Sequence, residues 1–198
     1  MKANFLKKWI LLSVSLLALN MARAESNQEG CVIAGPSDAP LTIEEYSDLE
    51  CVYCARGALL MKQALRDYPG KIKLVLRNLP LPMHEYANVA AKAFTAVWLQ
   101  KPDRAYDFQE QIFMNQSRLS SEGETFLLEL AKKLGVDEVQ MKADMESDKV
   151  DKIIKRDLAL ADKYGFKGTP SFRVGSESVH GAIPYNEMRA VVDRQLKK

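Results

Sequence analysis

The chain has 198 residues, 47% of them apolar and 27% charged, with a formal net charge of +2. That is ordinary globular composition, with length for one domain or one domain carrying an insertion, so cysteines are not needed as staples for a missing core. The near-neutral balance gives no electrostatic reason to expect nucleic acid or an anionic membrane surface as a partner.

Residues 1–24 read as a targeting segment. Lys2, Lys7 and Lys8 form a basic start, Trp9 to Leu19 is a short apolar run, and Ala22-Arg23-Ala24 is a small-x-small cleavage site. The run falls well short of the ~20 apolar residues of a membrane helix. No leucine stands before Cys31 at lipoprotein spacing. A mature chain starting at Glu25 is expected. Cleavage takes Lys2, Lys7, Lys8 and Arg23 from the 28 basic residues and none from the 26 acidic ones, leaving 24 against 26. Export implies an oxidising compartment in which disulfides persist. Three cysteines remain there, Cys31, Cys51 and Cys54, and an odd set argues against a structural disulfide framework.

Residues Glu25 to Gly30 are polar and expected to be disordered. Gly35-Pro36-Ser37-Asp38 reads as a turn, and Leu41 to Tyr46 as the first strand. Cys51-Val52-Tyr53-Cys54 comes next. Behind it, Cys54, Ala58, Met61, Leu65 and Tyr68 draw one helical stripe that Pro69-Gly70 ends. In such a strand–turn–helix the first cysteine lands at the helix N-terminus. Unpaired N–H groups and the positive dipole end there favour a thiolate, the reactive form.

Lys71 to Leu79 reads as a second strand, ended by Pro80 and Pro82. A helical stretch follows. Glu85 to Gln100 carries Phe94, Val97 and Trp98 on one face, and Pro102-Asp103 starts a helix with Phe108, Ile112 and Phe113. Ser121 with Glu124 reads as a capping box before Phe126 to Leu134, which Gly135 ends. Asp137 is placed to cap a fourth helix. Ser147 or Asp148 is placed to cap a fifth, which runs to Tyr164 and stops at Gly165. Ser171 to Val174 and Ser178 to His180 flank Gly175-Ser176, a hairpin signal, and a last helix runs from Tyr185 to Leu196.

The order predicts an α/β protein. Its mixed sheet of four or five strands has helices on both faces, and strand–helix–strand implies a parallel, right-handed crossover. Residues 25–82 and 150–198 form its two parts, with 83–149 an inserted helical domain.

Three separated pieces carry a resemblance. They are Ile43-Glu44-Glu45-Tyr46-Ser47-Asp48-Leu49-Glu50-Cys51-Val52-Tyr53-Cys54, Arg77-Asn78-Leu79-Pro80-Leu81-Pro82-Met83-His84, and Gly165-Phe166-Lys167-Gly168-Thr169-Pro170-Ser171-Phe172. Together they resemble the DsbA-like thiol–disulfide oxidoreductases of the thioredoxin fold, across nearly the whole mature chain. The resemblance implies Cys51 as nucleophile and Cys54 as resolving cysteine. The expected helix placement agrees, with Cys51 accessible and Cys54 one turn in and more buried. Val52 and Tyr53 then tune the couple, and their N–H groups point at the Cys51 sulfur. A Cys51 pKa depressed below the ~8.5 of a free thiol is expected.

The resemblance further implies a buried acid, Glu45, handling protons for Cys54. A lone buried carboxylate is expensive, so Lys73 or Lys71 is expected as its partner, with Glu44 the fallback if the register slips by one. Asp48 and Glu50 read as loop acids without a catalytic role. Thr169-Pro170 is expected to be cis, its backbone pairing with an extended substrate segment. His84 and His180 read as structural. The Phe94, Trp98, Phe108, Ile112 and Phe113 set reads as core of the insert, a share of it lining an apolar groove with Met83. Cys31 reads first as an idle thiol in a mobile segment, with an intermolecular disulfide or a pairing with Cys51 as the alternatives.

No cofactor beyond the redox-active Cys51–Cys54 disulfide, and no metal, is expected. The leading function is a periplasmic oxidase that donates this disulfide to folding exported proteins and is reset by a membrane redox partner. A disulfide isomerase or reductase working from the dithiol is the close competitor. The stretch before Leu41 is short for the dimerisation region such isomerases add, so a monomer is expected. A third reading is a non-catalytic Cu(I) binder using Cys31, Cys51 and Cys54 as soft ligands.

Overall fold

The computed structural model describes residues 31–198. The targeting segment, the cleavage after Ala24 and the expected disorder of residues 25–30 lie outside the described residues. Strand β1 is Cys31–Ala34 and β2 is Leu41–Ser47; helix α1 is Val52–Asp67 and β3 is Ile72–Asn78. Five helices follow: α2 Ala87–Gln100, α3 Ala105–Met114 after a 3-10 turn at Pro102–Arg104, α4 Gln116–Glu122, α5 Glu124–Lys133 and α6 Glu138–Met145. Then come α7 Asp148–Lys163, β4 Ser171–Val174, β5 Glu177–His180 and α8 Tyr185–Leu196.

The five strands form one sheet in the order β1-β3-β2-β4-β5. Strands β2 and β3 are parallel, joined through α1, and the other pairs are antiparallel. Every residue of β3 is buried, as a strand covered by helices on both faces must be. Side chains alternate along β2, so the neighbouring acids Glu44 and Glu45 face opposite ways. Glu44 shares its face with Arg77, whose Nε donates to Glu44 Oε1 at 2.8 Å and whose Nη1 donates to Asp157 of α7 at 3.3 Å. Asp157, fully buried, also accepts from Asn78 N and Nδ2, both at 3.1 Å, and from Arg156 at 2.9 Å. Glu45 faces the other way, together with Phe172, its partner on β4.

Phe94, Phe108 and Ile112 are fully buried and Trp98 and Phe113 partly so, which makes this set core as expected. Asp137 and Ser147 cap α6 and α7, accepting from Gln140 N and Val150 N.

Three local expectations are corrected. Cys31 does not lie in a mobile segment: it opens β1, opposite Leu76 of β3, and is fully buried. Burial pushes its thiol well above the ordinary range. The Ser121–Glu124 capping box does not form, because Ser121 belongs to α4 and its hydroxyl donates back to Ser117 O at 3.0 Å. Gly123 is the N-cap of α5 instead, at a positive φ of 54°. The helix expected from Glu85 starts at Ala87.

Candidate active site

Strand β2 ends at Ser47, three residues turn the chain, and Cys51 becomes the N-cap of α1 in extended geometry (φ −73°, ψ 121°). The turn closes through Cys51 N to Asp48 O at 3.1 Å, and the helix opens with Cys54 N to Cys51 O at 3.0 Å. Cys51 keeps 6% of its surface and Cys54 none, so Cys51 is the more reachable of two largely covered sulfurs. Both are free thiols.

Across from them the Thr169–Pro170 peptide is cis. The Cys51 thiol donates to Thr169 O at 3.7 Å. Pro170 rests on Gly57 of α1: a Cβ there would stand 3.0 Å from Pro170 Cγ and 3.2 Å from Phe172 Cζ. A glycine at this point lets helix, loop and β4 approach.

The two thiols are driven apart in acidity. The Cys54 thiol, hydrogen-bonded toward Cys51, does most to stabilise the Cys51 thiolate. Burial opposes it, and the Thr169 hydroxyl, nearby but outside hydrogen-bond geometry, and the N–H groups of Cys54 and Tyr53 add to it, so Cys51 is pushed down to about 5. Cys54 is pushed far above the ordinary thiol range, by burial first and then by its bond to Cys51. At neutral pH the site therefore holds a thiolate at Cys51 and a protonated thiol at Cys54. The backbone donors are those of Tyr53 and Cys54, not the expected pair Val52 and Tyr53.

The Val52 and Tyr53 side chains stand out from the site, 61% and 56% exposed. The Arg56 guanidinium sits 5.2 Å from the Tyr53 ring centroid. Between α1 and α3, Ala55, Ala58, Leu59, Phe113 and Met114 line an apolar hollow of about 150 Å³. Lys62 donates across it to Glu110 at 2.7 Å. Met83 is exposed but lies outside this lining.

Glu45 is fully buried, and neither carboxyl oxygen has a hydrogen-bond partner among the described residues. Burial pushes its carboxyl up to about 8, with the nearby Ser47 hydroxyl opposing from outside hydrogen-bond geometry. Ser47 also acts on Cys54, so one hydroxyl lies near both the acid and the buried thiol. The expected lysine partners are corrected by register. Lys73 pairs with Thr42 rather than Glu45, and its ammonium donates to Ser37 O at 3.0 Å. Lys71 precedes β3. Glu44, the fallback, is taken by Arg77 on the opposite face.

The loop acids matter more than their sequence suggests. Asp48 keeps 1% of its surface. Its carboxylate accepts from Glu50 N at 2.9 Å and Leu81 N at 2.8 Å, and lies 2.8 Å from His84 Nδ1. Glu50 accepts from Tyr86 N at 2.6 Å. From α4, Gln116 Nε2 donates to both Leu49 O and Cys51 O at 3.1 Å. Apart from Glu50 N, these partners lie more than thirty residues away, so the sequence offered only the acids themselves. His180 lies at the end of β5, edge-on to Phe166 at 5.3 Å between centroids, a packing role as expected.

Residues 26–194 match the family described as Thioredoxin. The chain belongs to the thioredoxin family. Within it the architecture is DsbA-like. A thioredoxin-like oxidoreductase from Silicibacter pomeroyi is 32% identical with a TM-score of 0.70, over 83% of this chain and 91% of that one. The thiol-disulfide exchange protein alpha-DsbA2 from Wolbachia pipientis is 26% identical with a TM-score of 0.72, over 81% and 84%. A probable disulfide bond formation protein D from Bacillus cereus is 27% identical, over 83% of this chain and 78% of that protein. A Na(+)/H(+) antiporter NhaA from Herminiimonas arsenicoxydans is 32% identical over 81% of this chain, which spans 25% of that protein's length. No helix among the described residues is long and apolar enough to cross a membrane.

The three cysteines of this thioredoxin-family chain are not gathered together. Cys31 sits on β1, which reaches β2 and the Cys51 turn only through β3. A copper site built from all three loses the geometry it requires.

Proposed function

We propose that this chain is an exported thiol–disulfide oxidoreductase, working as an oxidase that donates the Cys51–Cys54 disulfide to folding periplasmic proteins. The observation that carries the reading is the split between the two thiols, Cys51 held down to about 5 and Cys54 held protonated. A stabilised thiolate lowers the energy of the dithiol form relative to the disulfide, so the disulfide becomes the stronger oxidant.

A substrate thiolate attacks the Cys51 sulfur, breaks the Cys51–Cys54 bond and releases Cys54, which takes up a proton. A second substrate thiolate attacks the substrate sulfur of the mixed disulfide and releases Cys51 as thiolate. The substrate loses two electrons and the enzyme gains them. Glu45, buried with its proton, exchanges that proton with Cys54. Val52 and Tyr53 meet the substrate beside the sulfur, and Thr169 and Pro170 hold its main chain in extended form. A membrane redox partner restores the disulfide. The protein acts as a monomer in the periplasm after cleavage behind Ala24.

The competing reading, an isomerase or reductase, draws on Val52-Tyr53, which places no cation between the cysteines. The equilibrium of the Cys51–Cys54 couple with glutathione, measured with a Cys31→Ser version alongside, separates the two. A potential well above the glutathione poise supports the oxidase. A potential near that of thioredoxin makes the dithiol the working form and overturns it.

A further inference from the structure

Asp48 joins two things that the chain keeps far apart. Its N–H donates to the Cys54 sulfur at 3.4 Å, and its carboxylate lies 2.8 Å from His84 Nδ1. The carboxylate is completely buried while the imidazole keeps 26% of its surface. A buried carboxylate is costly without a cation, and the N–H groups of Glu50 and Leu81 only partly compensate it. Among the described residues His84 is its charged partner.

The charged groups that act most strongly on the imidazole, Asp48, Cys51 and Glu50, are all acidic. Burial disfavours its charge, but the bond to Asp48 and the charges of Asp48, Cys51 and Glu50 outweigh burial and raise it above the ordinary histidine value.

We propose that His84, hydrogen-bonded to the buried Asp48 whose N–H meets the Cys54 sulfur, is a positioning residue for the Cys51–Cys54 couple: its charged form favours the Cys51 thiolate, and that support is lost as it deprotonates. This rests on the thiol-exchange reading of the site. The influence is reciprocal. Reduction puts a negative charge on Cys51, so the dithiol form holds the His84 proton more tightly than the disulfide form. Balanced, the couple takes two electrons and one proton above the Cys51 pKa, leaving a Cys51 thiolate and a Cys54 thiol. Near the His84 pKa it takes a further fraction of a proton at the imidazole.

The test is iodoacetamide alkylation of Cys51 in the reduced protein across pH 4 to 9, with a His84→Asn variant that keeps an N–H for Asp48 but carries no charge. The wild type should show two inflections, that of Cys51 near about 5 and a second at higher pH. In His84→Asn the second should vanish, and the thiolate fraction below the first should drop roughly threefold, half a pKa unit. A purely structural role would lower the melting temperature and leave the inflections in place, and profiles that superimpose overturn the proposal. Should His84→Asn not fold, NMR titration of the wild-type imidazole in both redox forms decides. A higher pKa in the dithiol form supports the coupling and equal values overturn it. Alkylation needs no substrate protein, so a wild type with both inflections that fails to oxidise reduced ribonuclease sinks the oxidase reading alone.

Discussion

Replacing Glu45 with glutamine should flatten the pH dependence of stability. The carboxyl is fully buried, unpartnered and pushed from the ordinary 4.5 up to about 8. A folded-state pKa above the unfolded one means stability that is complete below pH 4.5 and lost as pH rises toward about 8. Each unit of the difference is worth ~1.4 kcal/mol, so the wild type should lose about 3 kcal/mol between pH 4.5 and 7 from this group, and about 5 kcal/mol at the upper limit. For a domain of this size that is roughly 6–12 °C in melting temperature. Glutamine keeps the shape and cannot ionise. The assay is thermal or urea unfolding of both proteins in the disulfide form, where Cys51 and Cys54 do not titrate, at half-unit steps from pH 4.5 to 8. The two stabilities should diverge with rising pH, the variant gaining. Parallel curves would mean that Glu45 is solvated or paired, and the desolvation reasoning would fall with the proton-handling role built on it.

Cys54→Ala removes the main donor to the Cys51 thiolate, so the alkylation pKa of Cys51 should climb from about 5 toward the free-thiol ~8.5. A value still near 5 would shift the credit to the helix terminus. Gln116→Leu frees the Leu49 and Cys51 carbonyls and should cost about 1–2 kcal/mol while speeding amide hydrogen exchange in residues 48–54; unchanged protection there would show that α4 does not hold the loop. Asp157→Ala strands the Arg77 guanidinium and the Asn78 donors and should cost about 3–5 kcal/mol in chemical unfolding. A loss under ~1 kcal/mol would show that Glu44 alone suffices for Arg77.

What the sequence made legible was local. The Cys51–Cys54 spacing, the stripe from Cys54 to Tyr68 and the Thr169-Pro170 pair each announce themselves within a few residues. Burial of Glu45 was what the resemblance implied, and alternation along β2 is compatible with it. Its surroundings were not legible, because parallel register sets Lys73 opposite Thr42. Strand β1 was missed because Cys31–Ala34 is four residues long and gains its partner, β3, some forty positions later. Helix α4 was missed because Ser117, Ser120 and Ser121 look like a loop, and the hydroxyls of Ser120 and Ser121 satisfy carbonyls three or four residues back. Asp48 and His84 read as separate and unremarkable because neither carries any mark of the other.

The contact between Gly57 and Pro170 has a bearing on how far this protein can be improved. A glycine inside a helix costs about 1 kcal/mol against alanine, so Gly57 is the natural first target for anyone seeking a more heat-resistant version. Here that substitution would press a methyl group against the Pro170 ring and the Phe172 edge at 3.0–3.2 Å, tighter than most such contacts, so that the loop or strand must give way slightly. Thermal hardening at this position would displace the surface on which substrates are to be read. Stability is better sought on the far side of α1, at Lys62 or Arg66, where the helix owes nothing to the proline loop.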